Sequence, residues 1–113
     1  MHITRQKDEE PHFNELTASE DELLSCLFEE ASEISQEACK IVQIVGKVMR
    51  HGYESVHPFQ PELGTNRNRL ESEIGDFLTI VLRMGREGHI DIDKVYARAK
   101  LKDDLIKPYL HHN

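Results

Sequence analysis

The chain reads as an all-α protein, and three observations carry that reading. Apolar residues recur at helical spacing over two long Pro-free stretches, no segment alternates apolar and polar residues over a useful length, and Gly, Pro and Asp punctuate the chain where helices would start or stop.

The first helix is expected from about Glu20 to Arg50. Ser19-Glu20-Asp21-Glu22 has the pattern of a capping box, and Leu23, Leu24, Leu27, Ala31, Ile34, Ala38, Ile41, Val42, Val45 and Met49 follow on one helical face. The single Gly46 costs this helix about 1 kcal/mol relative to Ala. His51-Gly52 supplies a C-cap pair. The chain then runs to Arg67 through Pro58, Pro61 and Gly64 without periodicity, a loop of about sixteen residues, longer than compact domains keep without a functional reason. Asn68, with Glu71 three residues on, is the capping signal for a second helix to Arg86, whose apolar stripe is Leu70, Ile74, Phe77, Leu78, Val81 and Met84. Gly85 and Gly88 mark its end. Asp91 and Asp93 open a third helix, since acidic residues are favoured at the positive N-terminal dipole, and Val95, Ala99, Leu101, Leu105 and Ile106 supply its apolar positions before Pro108 stops it. A weak internal echo exists inside the first helix, where Gln36-x-x-x-Lys40 recurs as Gln43-x-x-x-Lys47.

With 113 residues and a 38% apolar share, the chain can bury one modest core, so a single domain is expected. Its bounds are a polar N-terminal tail over 1–18, a helical domain over 19–110 and a C-terminal tail over 111–113. The first helix, about 45 Å long at 1.5 Å per residue, is longer than the other two can cover. A helical bundle of two to four helices per chain, completed by oligomerisation into a four-helix arrangement, resolves this, so a homodimer or homotetramer is expected.

Fourteen Lys and Arg against 21 Asp and Glu give a net charge of −7, which repels a phosphate backbone and an acidic membrane surface. Neither nucleic acid nor membrane is therefore an expected partner, and a phosphate-bearing ligand would need a bridging cation. No apolar run of about 18 residues exists and the N-terminus lacks the apolar core of a signal peptide, so a cytoplasmic protein is expected. Cys26 and Cys39 fall on one helix, where they cannot pair with each other, and read as buried or half-buried free thiols.

The acidic excess is concentrated. Helix one carries Glu29-Glu30-Ala31-Ser32-Glu33 with Glu37 a turn later, and helix two carries Glu73-Ile74-Gly75-Asp76. Glu30 and Glu37 lie about 60–90° from the centre of the first apolar stripe and Glu73 about 80° from that of the second, rim positions from which carboxylates can face each other across the packing interface. Glu33 and Asp76 sit further round toward solvent. Four carboxylates gathered this way repel one another unless a cation sits among them. An all-oxygen donor set suits Mg²⁺ or Mn²⁺, whereas di-iron bundles supply Glu-x-x-His pairs, and no His follows either motif at that spacing. The competing reading is a solvated acidic helix face.

Glu29-Glu30-Ala31-Ser32-Glu33 followed by Leu70-x-x-Glu73-Ile74-Gly75-Asp76 resembles the Glu-Glu-x-x-Glu and Glu-x-x-Asp signature of the all-α nucleotide pyrophosphatases. That superfamily includes MazG-like proteins, dimeric dUTPases and phosphoribosyl-ATP pyrophosphohydrolases. Lys47-Val48-Met49-Arg50-His51-Gly52 is similar to the ending of helix one in short MazG-like proteins, and the likeness runs from roughly Leu23 to Leu110 through Thr65-Asn66-Arg67, Gly88-His89-Ile90-Asp91 and Ala99-Lys100. The resemblance implies Mg²⁺-dependent hydrolysis of a nucleoside triphosphate, NTP or dNTP, to the monophosphate and pyrophosphate, in nucleotide-pool control. It implies Glu30, Glu33, Glu73 and Asp76 as metal ligands, with one of them or Glu29 deprotonating the attacking water. Lys47, Arg50, Asn66 and Lys100 would hold the substrate, and Lys40 competes with Lys47 as the phosphate-binding lysine, because the family spacing selects Lys40 and the Arg-His-Gly context selects Lys47. A seven-residue insertion, which preserves the helix face, accounts for both. The different-class alternative is a non-catalytic helical module that binds nucleotide or protein. Tyr53 and Phe59 of the long loop either stack on a base or cover the helix ends, and His111-His112 reads as an exposed tail.

Overall fold

The computed structural model describes residues 15–109. These residues form three α-helices, α1 (Ala18–His51), α2 (Asn66–Arg86) and α3 (Ile92–Ile106), with short 3₁₀ turns at Pro61–Leu63 and Lys107–Tyr109. Among the described residues there is no strand, only an isolated antiparallel bridge between Val56 and Thr65. The architecture is all-α, and among the described residues no helix is long and apolar enough to cross a membrane. Most of the expected N-terminal tail and all of 111–113, including His111-His112, lie outside the described residues.

Both capping boxes form, each shifted toward the N-terminus of the position expected. Thr17, not Ser19, caps α1: its hydroxyl accepts from the Glu20 N–H at 3.2 Å and its own N–H donates to Glu20 Oε1 at 3.1 Å. Two overlapping Ser/Thr-x-x-Glu patterns compete there, and the earlier one places Ala18 in the first turn, where it is buried. In α2, Thr65 plays this part with Asn68: Thr65 Oγ1 accepts from the Asn68 N–H and Asn68 Oδ1 accepts from the Thr65 N–H, both at 3.1 Å. Asp91 caps α3 as expected, its Oδ1 accepting from the Asp93 N–H at 2.9 Å.

The segment between α1 and α2 is more ordered than its composition suggests. Gly52 (φ +89°) ends α1, the Asn66 N–H donates to Ser55 O and the Arg67 N–H to Tyr53 O, both at 2.9 Å, and the Asn66 side-chain amide donates to Gly52 O at 3.0 Å. The first turn of α2 is thereby stitched to the last turn of α1. Tyr53 supports the Arg67 guanidinium, 4.4 Å above its ring, and Arg67 Nε donates to Glu54 at 2.7 Å. Tyr53 is thus engaged at the helix junction, while Phe59 is exposed and packs edge-on against His57.

Asn66 meets Gly52 at one end of the helix pair and Arg83 meets Glu30 toward the other, so α1 and α2 run antiparallel. Their shared core is small. Among the described residues only Ala18, Ile44, Ile80 and Met84 are buried apolar side chains, and Ile34, Ile41, Leu70, Phe77 and Val81 are half-buried. No residue of α3 is buried. Phe28, Val42 and Met49 on α1 are 76%, 69% and 82% exposed, and Cys26 and Cys39 are exposed rather than buried, because no other element among the described residues covers the α1 surface that carries them. The radius of gyration, 19.7 Å, compares with about 13 Å for a compact chain of 100 residues.

Candidate metal centre

Near the middle of the α1/α2 pair, Glu37 on α1 comes level with Glu73 and Asp76 on α2. One carboxylate oxygen of each lies within 4.8 Å of the other two. Glu73 and Asp76 are separated by three residues, so the helical repeat puts them on adjacent turns of one face. Glu73 and Glu37 are half-buried and Asp76 is exposed, giving the group one open side.

Glu37 Oε2 and Glu73 Oε2 are both enclosed and neither has a hydrogen-bond partner. Two facing carboxylates in that state repel, and the Glu37 carboxylate, together with burial and the charge of Asp76, holds the Glu73 carboxyl above the usual carboxylate range. The nearest compensation is Lys40, whose Nζ lies 3.3 Å from Glu37 Oε1 one turn on. Glu37, and beyond it Glu73 and Asp76, in turn push the Lys40 ammonium above its ordinary value. One ammonium against three carboxylates leaves two negative charges uncompensated, the charge of a single divalent cation. Orphaned enclosed oxygens, an open side and an all-oxygen donor set suit a hard cation such as Mg²⁺ or Mn²⁺, which keeps several water positions.

The expected four-carboxylate set is not assembled. Glu33 and Glu30 lie one and two turns further up α1, where Arg83 engages both: its Nε donates to Glu30 Oε2 at 2.7 Å and its Nη2 to Glu33 Oε2 at 3.0 Å. The Arg83 guanidinium holds the Glu30 carboxyl below the usual range. Glu29 is exposed and belongs to neither group. Glu37, on the same helical face as Glu30 but two turns on, stands opposite Glu73 and Asp76. The signal that finds it is register: counted back from the Gly52–Asn66 stitch, Glu30 lies about 33 Å along α1, far beyond Glu73 and Asp76 at about 10–15 Å along α2, whereas Glu37 and Lys40 lie about 18–22 Å along α1.

The other expected residues divide. Lys47 and Arg50, with Arg69, His51 and His57, line a cleft of about 510 Å³ where the α1–α2 connection leaves the helices. Asn66 also lines it, yet is itself buried and spends its amide on Gly52. Lys100 is exposed on α3 and does not reach the cleft. Arg69 stands one helical turn before Glu73, so the cationic cleft begins a turn from the carboxylates.

No family model matches the chain, and no curated protein or solved structure is detectably similar to it.

Proposed function

We propose that the chain is a MazG-like, Mg²⁺-dependent nucleoside triphosphate pyrophosphohydrolase that works as a homo-oligomer. The observation that carries this reading is the Glu37–Glu73–Asp76 group, three converging carboxylates with orphaned enclosed oxygens, one turn from a cleft lined by Lys47, Arg50 and Arg69. Carboxylates and cations placed in sequence along one helix pair suit a ligand that is itself a chain of phosphates.

Glu37, Glu73 and Asp76 would hold the cation, with Mn²⁺ an alternative to Mg²⁺. Bound there, the ion supplies charge neutralisation of the triphosphate and a more acidic water. Lys47, Arg50 and Arg69 hold phosphate oxygens in the cleft, and Lys40 balances the carboxylates or turns to a phosphate. In the reaction the water oxygen bonds to the α-phosphorus, the bond from that phosphorus to the bridging oxygen breaks, pyrophosphate leaves, and the water proton passes to a carboxylate of the group. The exposed apolar face of α1, with Phe28, Val42 and Met49, supports assembly with a second copy, since four buried apolar side chains among the described residues make a small core for a lone domain.

The test is pyrophosphate release from a panel of NTPs and dNTPs with Mg²⁺. Release that Glu73→Gln abolishes supports the enzyme. No turnover of any nucleotide, with nucleotide or protein binding retained, supports the non-catalytic module instead.

A further inference from the structure

The C-terminal turn of α2 carries a second group of ligating side chains that the proposed reaction does not use. Gly88 takes a left-handed conformation (φ +82°), its N–H donates to Gly85 O at 3.1 Å, and the His89 N–H donates to Met84 O at 3.0 Å. These paired bonds are a Schellman motif, which folds the chain back over the helix end and turns His89 toward α1. Its imidazole is enclosed there, with 8% of the side chain exposed.

Opposite it stands Glu30, its side chain 4% exposed. Glu30 gives Oε2 to Arg83, which leaves Oε1 enclosed and without a partner. Glu87 Oε2 and His89 Nε2 are 3.2 Å apart, yet neither makes a hydrogen bond. One ligand atom each from Glu30, Glu87 and His89 lies within 4.8 Å of the other two. Enclosed polar atoms are nearly always satisfied, so three that converge without partners indicate a missing one. Arg83 supplies a single positive charge against Glu30, Glu33 and Glu87, so a divalent ion also closes the charge balance.

We propose that Glu30, Glu87 and His89 form a binding site for a divalent transition-metal ion of the Zn²⁺ type. The imidazole nitrogen selects against Mg²⁺, which takes oxygen ligands, and two carboxylate oxygens with one imidazole leave a tetrahedral ion one open position. Arg83 is the positioning residue: by holding Oε2 it aims Oε1 into the site. The site lies about 10 Å along α1 from Glu37, joins α1 to the end of α2, and does not depend on the pyrophosphohydrolase reading. An ion there fastens together two helices that share a small core.

The test uses the full chain, with Zn²⁺ as ligand and long-range ¹H–¹⁵N correlations of the histidine rings as readout. The seven histidines include exposed ones able to hold Zn²⁺ adventitiously, so the readout must be site-resolved. At one equivalent of Zn²⁺ the His89 Nε2 resonance shifts. Equilibrium dialysis then gives His89→Gln an affinity lower by at least the roughly 100-fold that loss of an outer-shell partner reaches, while Lys102→Gln, exposed on α3, binds as the wild type does. A His89 resonance unmoved when Zn²⁺ is bound, or equal affinity in the wild type and His89→Gln, overturns the proposal. The resonance readout on the unaltered chain stands even where the variant fails to fold.

Discussion

Glu37 and Glu73 face each other across α1 and α2, each with an enclosed Oε2 that lacks a hydrogen-bond partner. A pair of this kind either shares a proton or shares a cation, and the two states respond oppositely to pH.

The cation-free chain should therefore lose stability as pH rises. Glu73 has its folded pKa raised above the ordinary 4.5, so the folded state binds its proton more tightly than the unfolded state does. The resulting stability is present in full below 4.5 and is lost as pH climbs through the raised value. Thermal melts in EDTA should show Tm falling over that window, with the slope flattened in Glu73→Gln. Mg²⁺ competes with the proton, so the rise in Tm that it produces should grow with pH. A Tm in EDTA that does not change across the window removes the shared-proton state.

Lys40 occupies the place of a counter-ion beside Glu37. Replacing it with Met should tighten Mg²⁺ binding a few-fold, a modest effect because the Lys40 side chain is 57% exposed and solvent screens its charge. Isothermal titration checks this. Weaker binding in Lys40→Met would mean that the lysine organises the site rather than competing for it.

Asn66 stitches the two helices and lines the cationic cleft, and these roles separate by stability. Asn66→Ala leaves Gly52 O without its donor in a part-buried setting, an effect of about 1 kcal/mol. For a domain of this size that lowers Tm by roughly 5 °C. An unchanged Tm would assign Asn66 to ligand binding alone.

The exposed α1 face predicts assembly. Sedimentation velocity of the wild type should give a dimer or tetramer whose Tm rises with concentration, and Val42→Asp should shift the population toward monomer. A wild type that sediments as a monomer at all concentrations contradicts the oligomeric reading.

The helices and their order were legible because each is a local property, but the apolar stripes only in part. Leu70, Phe77 and Val81 turn inward and are half-buried, whereas Ile74 and Leu78 of the same stripe, Leu23, Leu24 and Met49 of the first and Leu101 and Leu105 of the third are exposed, since spacing does not say which part of a stripe another element covers. The cap positions slipped because Thr17 and Ser19 satisfy the same local pattern, and burial of Ala18, a tertiary effect, decides between them. Axial register was not legible from motifs. Glu30 and Glu37 share a face, and periodicity cannot say which of them comes level with Glu73; the Gly52–Asn66 stitch at the helix junction does. The pairing of Arg83 with Glu30 and Glu33 is hidden from sequence patterns for the same reason. His89 is not legible as a neighbour of Glu30, because it reaches that residue through a Schellman turn, at a spacing that no single-helix pattern contains.

Assignment of Glu37 as the α1 contribution to the metal centre is tested most directly by comparing Glu37→Gln with Glu33→Gln in Mg²⁺-dependent pyrophosphate release, on whichever nucleotide the wild type turns over. Glu37→Gln should reduce kcat/KM by about 100-fold or more, as expected for a lost cation ligand, while Glu33→Gln, whose carboxylate is half exposed on Arg83, stays close to the wild type. The reverse order, with Glu33→Gln inactive and Glu37→Gln active, would contradict it.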